Sequence, residues 1–232
     1  MKSLNYFLIV LTLLSLSLSA AAQNFYYGLE GGVNFANVNL ESANGTDQLT
    51  SPQTGFVFGG VFGYPISHSF SLELEALYIQ KGGMQMANSQ NPNIEIRMSV
   101  LEVPLFAKVS FGNTIRPYIK AGPAIGIILN SDAETEYGGA VAGQSLQTYK
   151  ADMQNVLKRI DFGLSFGTGI SFAVGNTYLF IEGRYTLGLT DLYKGGELQW
   201  ISGDESFTVE GNPSAAMYNK GIQVIIGITL PQ

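Results

Sequence analysis

The amino-acid sequence predicts an all-β fold, a membrane-spanning antiparallel up-and-down β-barrel of eight strands. Three observations support this fold class. Apolar residues alternate with small or polar residues in eight segments, and the connections between them alternate between short and long. Charged residues make up 13% of the chain, whereas soluble domains contain about 25%. In a membrane barrel the apolar face of each strand points outward, into lipid.

The alternation is clear in the first segment. Leu29, Val33 and Phe35 share one face, whereas Glu30 and Asn34 lie on the other, as in a strand with one apolar face. A membrane-spanning strand needs about 9–11 tilted residues, and each segment is long enough. The predicted strands cover residues 25–37, 54–65, 70–81, 95–111, 116–129, 159–173, 177–189 and 218–230.

The connections predict which end of the barrel faces which compartment. Outer-membrane barrels have short periplasmic turns and longer extracellular loops. Here the predicted short turns lie near residues 65–69, 112–115 and 174–176. The predicted long loops, which are polar and rich in glycine, asparagine and serine, lie near residues 38–53, 82–94, 130–158 and 190–217.

Two of the long loops carry further apolar patterns. In the third, a short amphipathic helix is predicted from apolar residues at roughly helical spacing, namely Leu146, Tyr149, Met153, Val156 and Leu157. In the fourth, Trp200 and the neighbouring isoleucine indicate either an exposed partner surface or a tryptophan packed on the barrel mouth.

Aromatic residues near the strand ends predict two interfacial girdles, in which rings lie at the level of the lipid headgroups. These girdles favour the membrane barrel over the alternative, a soluble periplasmic barrel with its apolar face inside. The residues near the short turns are Tyr26, Tyr27, Tyr64, Phe70, Phe111, Tyr118, Phe172 and Tyr178. Those near the long loops are Phe35, Phe56, Tyr78, Phe162, Tyr185 and Tyr218.

The amino terminus reads as a secretory leader. Lys2 precedes an apolar stretch at residues 4–18, which ends in Ala20-Ala21-Ala22. We therefore predict a signal peptide at residues 1–22, an outer-membrane β-barrel domain at residues 23–232, and location in the cell outer membrane. The chain has no cysteine, which excludes disulfides and thiolate metal sites. Its net charge of −6 argues against a nucleic-acid partner.

Nine charged residues are predicted to point into the barrel. An eight-stranded barrel is only wide enough for its own side chains, and unpaired buried charges are costly. The sequence therefore predicts a paired interior charge network with a structural role. The alternatives are a proton or ion path and a catalytic carboxylate pair. The nine residues are Glu30, Glu73, Glu75, Glu102, Lys108, Lys120, Asp161, Glu182 and Arg184.

His68, the single histidine, lies in a predicted periplasmic turn. A lipid hydrolase of the Ser-His-acid type would need its histidine at the site, usually near the outer rim. One histidine also argues against a histidine-based metal centre. We therefore predict no catalytic residue, no cofactor and no metal site.

Several motifs resemble those of the PorT-like outer-membrane β-barrel proteins of Gram-negative bacteria, which fall within the wider group of small eight-stranded barrels. The resemblance touches six of the eight predicted strands, and it implies an outer-membrane barrel without catalytic activity. The founding member is similar to a secretion accessory needed for the export of virulence proteases. The motifs lie at residues 28–34, 75–82, 101–108, 117–123, 161–164 and 182–185.

Together these observations predict a non-enzymatic barrel with a filled polar lumen. It would act through its surface loops in binding or in envelope organisation. A more specific form of this prediction is that the protein assists secretion of other proteins. The predicted partners are outer-membrane lipid, the barrel-assembly machinery during insertion, and other envelope proteins that contact the long loops. A barrel enzyme acting on lipid or peptide and a narrow channel are the alternatives.

Overall fold

A computed structural model describes residues 25–41, 47–49, 51–85, 93–137, 147–210 and 216–231. The predicted signal peptide, residues 1–22, lies outside the described residues. The described residues contain no helix long and apolar enough to cross a membrane. The described strands are β1 (Tyr26–Glu41), β2 (Asp47–Leu49), β3 (Ser51–Pro65), β4 (Phe70–Gln85), β5 (Ile94–Ser110), β6 (Ile115–Tyr137), β7 (Gln147–Asp152), β8 (Ile160–Val174), β9 (Thr177–Gly188), β10 (Glu197–Ser202), β11 (Glu205–Glu210) and β12 (Ala216–Pro231).

Eight of these strands close into an antiparallel barrel in the order β1, β3, β4, β5, β6, β8, β9 and β12. The last strand pairs with the first along its whole length, from Tyr26 opposite Pro231 to Glu41 opposite Ala216. A closed ladder leaves no strand edge facing lipid, so the backbone polar groups can be satisfied within the wall. The predicted eight-stranded barrel is confirmed.

The apolar face of the wall points outward. Along β12, Ile222, Val224 and Ile226 are exposed, whereas Gln223 and Ile225 between them are fully buried in the interior. The same alternation runs through the other wall strands. A soluble barrel would bury the apolar set instead, so this arrangement excludes that alternative and fits a wall surrounded by lipid.

The short connections share one end of the barrel with the start of β1 and the end of β12. They join β3 to β4, β5 to β6 and β8 to β9. Gly112 and Gly175 occupy two of these turns with φ of 87° and 62°, a backbone conformation that glycine adopts without steric cost. Because outer-membrane barrels keep short turns on the periplasmic side, the opposite end is extracellular.

The extracellular end is built by strands that continue beyond the membrane. β6 runs to Tyr137 rather than to the predicted residue 129, and its extension pairs with β7, with Thr135 opposite Tyr149. The predicted helix in this loop is therefore wrong over residues 147–157, and Leu146 lies outside the described residues. The free edge of β6 supplies a backbone partner, so residues 147–152 form a strand. Met153 and Leu157, which suggested helical spacing, belong to the turn that follows.

A hydrophobic cluster, here called the extracellular core, fills this end. Side chains from the upper parts of β1, β5, β6 and β12 meet side chains from the long connections. Trp200 on β10 is buried in it, so the tryptophan packs on the barrel mouth, as one of the two sequence alternatives had it. The core consists of Val38, Ile96, Met98, Val100, Ile128, Ala133, Ala151, Met153, Val156, Leu157, Leu192, Trp200 and Met217.

Asp191 fixes the connection after β9 to this core. Its Oδ1 accepts hydrogen bonds from the backbone N–H groups of Tyr193 (3.1 Å) and Met217 (3.0 Å), and Lys158 Nζ lies 3.3 Å from Oδ2. Burial would raise the pKa of Asp191, but these three partners outweigh it and hold the pKa below its ordinary value of 3.8. The stabilisation that these contacts give is complete above the ordinary pKa of 3.8. It is lost as the pH falls through the lower pKa that Asp191 has in the folded protein.

The outward face allows a direct test of the surrounding medium. Val224 and Val209 are similarly exposed, at 41% and 46%, but Val224 lies on the wall and Val209 on β11 above it. We expect Val224→Arg to lower the free energy of unfolding by about 2–4 kcal/mol, because a cation is driven into lipid. Val209→Arg should change it by less than about 0.5 kcal/mol.

The measurement is denaturant unfolding in lipid vesicles, followed by fluorescence of Trp200, the single tryptophan. Equal losses of stability in the two variants would contradict the assignment of Val224 to lipid.

Candidate functional site

The interior of the barrel holds all nine charged residues that the sequence analysis singled out. Eight of them are buried, and the side chain of the ninth, Lys108, is 13% exposed near the periplasmic end. They form two groups. The lower cluster, nearer the short turns, contains Glu30, Glu73, Glu75, Lys108, Lys120, Glu182 and Arg184.

Lys120 on β6 lies at the centre of the lower cluster. Its Nζ is 2.6 Å from Glu75 Oε1, 2.7 Å from Glu182 Oε2 and 3.5 Å from Glu73 Oε2. The partners come from β4 and β9, which are not hydrogen-bonded to each other in the wall. The lysine therefore links strands across the lumen rather than along the ladder.

Arg184 on β9 is the second cation that spans the lumen. Its Nε lies 2.7 Å from Glu182 Oε1, its Nη1 2.8 Å from Glu75 Oε2, and its Nη2 3.8 Å from Glu30 Oε1. Paired guanidinium and carboxylate groups of this kind are strong and geometrically specific. Arg184 thereby joins β9 to β4 and β1.

Two uncharged residues shape the space around these cations. The ring centroid of Phe106 lies 4.6 Å from Lys120 Nζ and 5.0 Å from Arg184 Cζ, close enough for a cation–π attraction. Opposite, a Cβ atom added to Gly167 would stand 2.9 Å from Glu182 Oε1 and 3.1 Å from Lys120 Cγ. A glycine at this position of β8 therefore leaves the room that the ion pair fills.

Tyr26 and Tyr118 complete the periplasmic side of the lower cluster. Tyr26 donates a hydrogen bond of 2.6 Å to Glu73 Oε1, which is also 2.7 Å from Lys108 Nζ. Tyr118 donates one of 2.8 Å to Glu182 Oε2. The prediction that both tyrosines belong to an interfacial girdle is wrong, and it is also wrong for Tyr178, whose ring lines the lumen at this end. Strand alternation places each ring on the same face as the inward charges, and that pattern was visible in the sequence.

A smaller upper cluster lies nearer the extracellular core. Lys81 Nζ is 2.5 Å from Glu102 Oε2 and 3.9 Å from Asp161 Oδ2, which also accepts a hydrogen bond of 3.0 Å from Asn219. Lys81 was not among the predicted residues. It follows Glu73 and Glu75 with the same parity along β4, so the alternation that identified them could have found it.

The cations and carboxylates of this interior pair with one another. The extracellular core covers one end of the lumen. The apolar side chains of Leu77, Ile79 and Ile225 form a separate buried cluster inside the lumen. Within the described ranges, no group of three or more His, Cys, Asp or Glu residues could hold a metal ion. His68 is exposed in the turn between β3 and β4, where Nε2 lies 3.2 Å from Asn113 Oδ1.

Several solved outer-membrane barrels are similar to this chain over most of its length. Neisserial surface protein A is 16% identical, with coverage of 89% of this chain and 96% of its own, and a TM-score of 0.40. The outer membrane protease OmpT from Escherichia coli is 10% identical, with coverage of 90% and 97% and a TM-score of 0.37. A major outer membrane protein from Thermus thermophilus is 7% identical, with coverage of 90% and 99% and a TM-score of 0.45. No curated protein matches the chain.

The sequence also matches a family model described as an outer membrane protein beta-barrel domain. The match covers residues 21–194, which is well over half of the chain. This finding agrees with the closed barrel and its outward apolar face, and it places the protein in the outer membrane. The narrower PorT-like group stays a prediction. The chain belongs to the outer membrane protein β-barrel domain family.

Proposed function

We propose that the protein is a non-enzymatic barrel that binds a partner protein at the cell surface through the hairpin of β10 and β11. The observation that carries this proposal is the exposure of β11. All six of its residues are exposed, and of the strands in the described part of the chain only β10 pairs with it. Such an edge can accept an extended segment of another chain as an added strand.

The composition of the hairpin suits this mode of binding. Phe207 and Val209 present apolar surface above the membrane, at 38% and 46% exposure. Aromatic and β-branched residues favour strand pairing, and Thr208 between them adds to that tendency. Glu205 and Glu210 flank this segment, which keeps the edge soluble and disfavours antiparallel pairing of two copies of the chain.

The hairpin is also held in place by the extracellular core. The ring of Phe207 stacks on that of the buried Trp200 with centroids 6.4 Å apart, and it meets the Tyr149 ring edge-on at 5.2 Å. Ile201 pairs with Lys150 of β7, which connects the hairpin to the extended wall. A rigid edge loses little conformational entropy when a partner strand docks.

The interior favours this role over the enzyme and channel alternatives. We infer that the lower cluster is a structural network, because Lys120 and Arg184 are each shared among several carboxylates and lie beneath a hydrophobic core. Such pairs cross-link β1, β4, β6 and β9. A role in envelope organisation or protein secretion would follow from the identity of the surface partner.

The surface proposal can be tested by site-specific photo-crosslinking on intact cells. With a photoreactive residue at Phe207 or Val209, we expect an adduct with one protein of defined mass. The same residue at Val174, which is exposed near a short turn, is the matched control and should give no such adduct. Thr208→Pro should weaken the adduct, because proline removes a backbone donor from the edge. Equal labelling at all three positions would contradict the proposal.

The network proposal predicts that the buried Arg184 contributes more to the free energy of unfolding than the exposed Arg97 does. Arg184→Leu should lower the free energy of unfolding by about 3–5 kcal/mol, because it leaves buried carboxylates without their cation. Arg97→Leu removes a surface arginine whose side chain is 55% exposed, and it should cost at most about 1 kcal/mol. Denaturant unfolding in vesicles measures both changes. A tolerated Arg184→Leu would argue that the interior pairs do not stabilise the barrel.

A further inference from the structure

We propose that the periplasmic mouth of the lumen is a binding site for a small organic anion, one that carries a carboxylate or phosphate group on an apolar body. This site lies at the opposite end of the barrel from the surface hairpin and rests on different observations.

A cavity of about 300 Å³ opens at this end, beneath the turn between β3 and β4. That volume is at the lower end of the roughly 300–1,000 Å³ found for small-molecule sites. Lys108, Arg116 and His68 contribute the basic groups of its lining, and none of the described residues that line it carries a carboxylate. Glu73, the partner of Lys108, is not part of the lining.

Arg116 is only partly satisfied by the protein. Its Nη2 donates a hydrogen bond of 2.8 Å to the carbonyl oxygen of His68, which fixes the guanidinium at the mouth. Its Cζ lies 5.8 Å from the ring centroid of Tyr178. Its Nε is buried and has no hydrogen-bond partner within the described residues. No carboxylate among the described residues forms an ion pair with this guanidinium, so an oxyanion at the mouth would meet an uncompensated positive charge.

The remaining lining supplies both hydroxyl donors and an apolar wall. Ser71, Ser110, Ser171 and Thr229 all line the cavity. Ser171 Oγ donates to the carbonyl oxygen of Arg116 and Ser71 Oγ to the Tyr26 hydroxyl, each at 3.2 Å, so Ser110 and Thr229 are the hydroxyls offered to a ligand. Phe180 and the Tyr178 ring form apolar surface beside them. Cations and hydroxyls next to aromatic rings recognise a ligand that is anionic at one end and apolar at the other.

The position of the cavity within the charge distribution also favours an anion. The interior above it contains six carboxylates, on Glu30, Glu73, Glu75, Glu102, Asp161 and Glu182. Lys81, Lys108, Lys120 and Arg184 supply four cations there. These groups pair with one another, whereas Arg116 at the mouth forms no ion pair with a carboxylate among the described residues. An anion that enters the mouth from the periplasm therefore meets an unpaired cation.

His68 provides the reporter for a test, because it is the single histidine of the chain and lines the cavity. The experiment titrates benzoate, phenyl phosphate and neutral benzamide into the full chain in detergent micelles, with the side chain of His68 isotopically labelled for NMR. We expect a saturable shift of the His68 resonances with benzoate or phenyl phosphate and none with benzamide.

Two matched variants identify the anion-binding group. Arg116→Gln should weaken anion binding at least about tenfold, as expected for the loss of a charge-assisted hydrogen bond. Arg97→Gln, at the extracellular end, should leave the affinity unchanged. Heat-modifiable migration on a gel checks that each variant is a folded barrel. If Arg116→Gln does not fold, Arg116→Lys takes its place and should also weaken binding, since lysine lacks the planar donor fork.

Three outcomes would overturn the proposal: no saturable shift with either anion, equal shifts with benzoate and benzamide, or unchanged affinity after substitution of Arg116.

Discussion

The structure depends on closure of the backbone hydrogen-bond ladder in a medium that offers no water. An unpaired N–H or C=O group in lipid costs several kcal/mol, so the first and last wall strands must find each other. They do so from Tyr26 to Glu41 along the full length of β12. Once the wall is closed, strand alternation sends half of its side chains to lipid and half into a lumen that is too narrow to hold bulk water.

That lumen explains the composition of the inward face. Charges placed there are poorly solvated, so they are stabilised by opposite charges and by hydrogen bonds. Lys120 and Arg184 meet this need by each contacting several carboxylates, and tyrosine hydroxyls supply further donors to Glu73 and Glu182. Bulky Phe106 and the small Gly167 adjust the space so that these contacts are made. Ion pairs and apolar packing therefore fill the lumen together.

The two-residue alternation in the sequence predicted the wall strands and their inward faces. It did not predict contacts between residues that are distant in the sequence. Alternation located the wall strands and placed Glu73 and Arg184 on the inner face, but nothing local shows which acid meets which base across the lumen. Tyr118 was assigned to the membrane interface because its position near a strand end outweighed its parity. The strand at residues 147–152 was taken for a helix because its partner is the extension of β6, whose length the local pattern did not reveal.

The two ends of the barrel follow from the same closure but differ in what they offer a ligand. At the extracellular end the wall strands continue beyond the membrane. Apolar loop residues around Trp200 fill the mouth and support an outer hairpin in water. At the periplasmic end the strands stop at short turns, which are too small to cover the lumen, so its last inward residues, among them Lys108, line an open cavity. Between the two ends lie the ion pairs that join β4 to β6 and β9, so the surface hairpin and the periplasmic cavity share no residue.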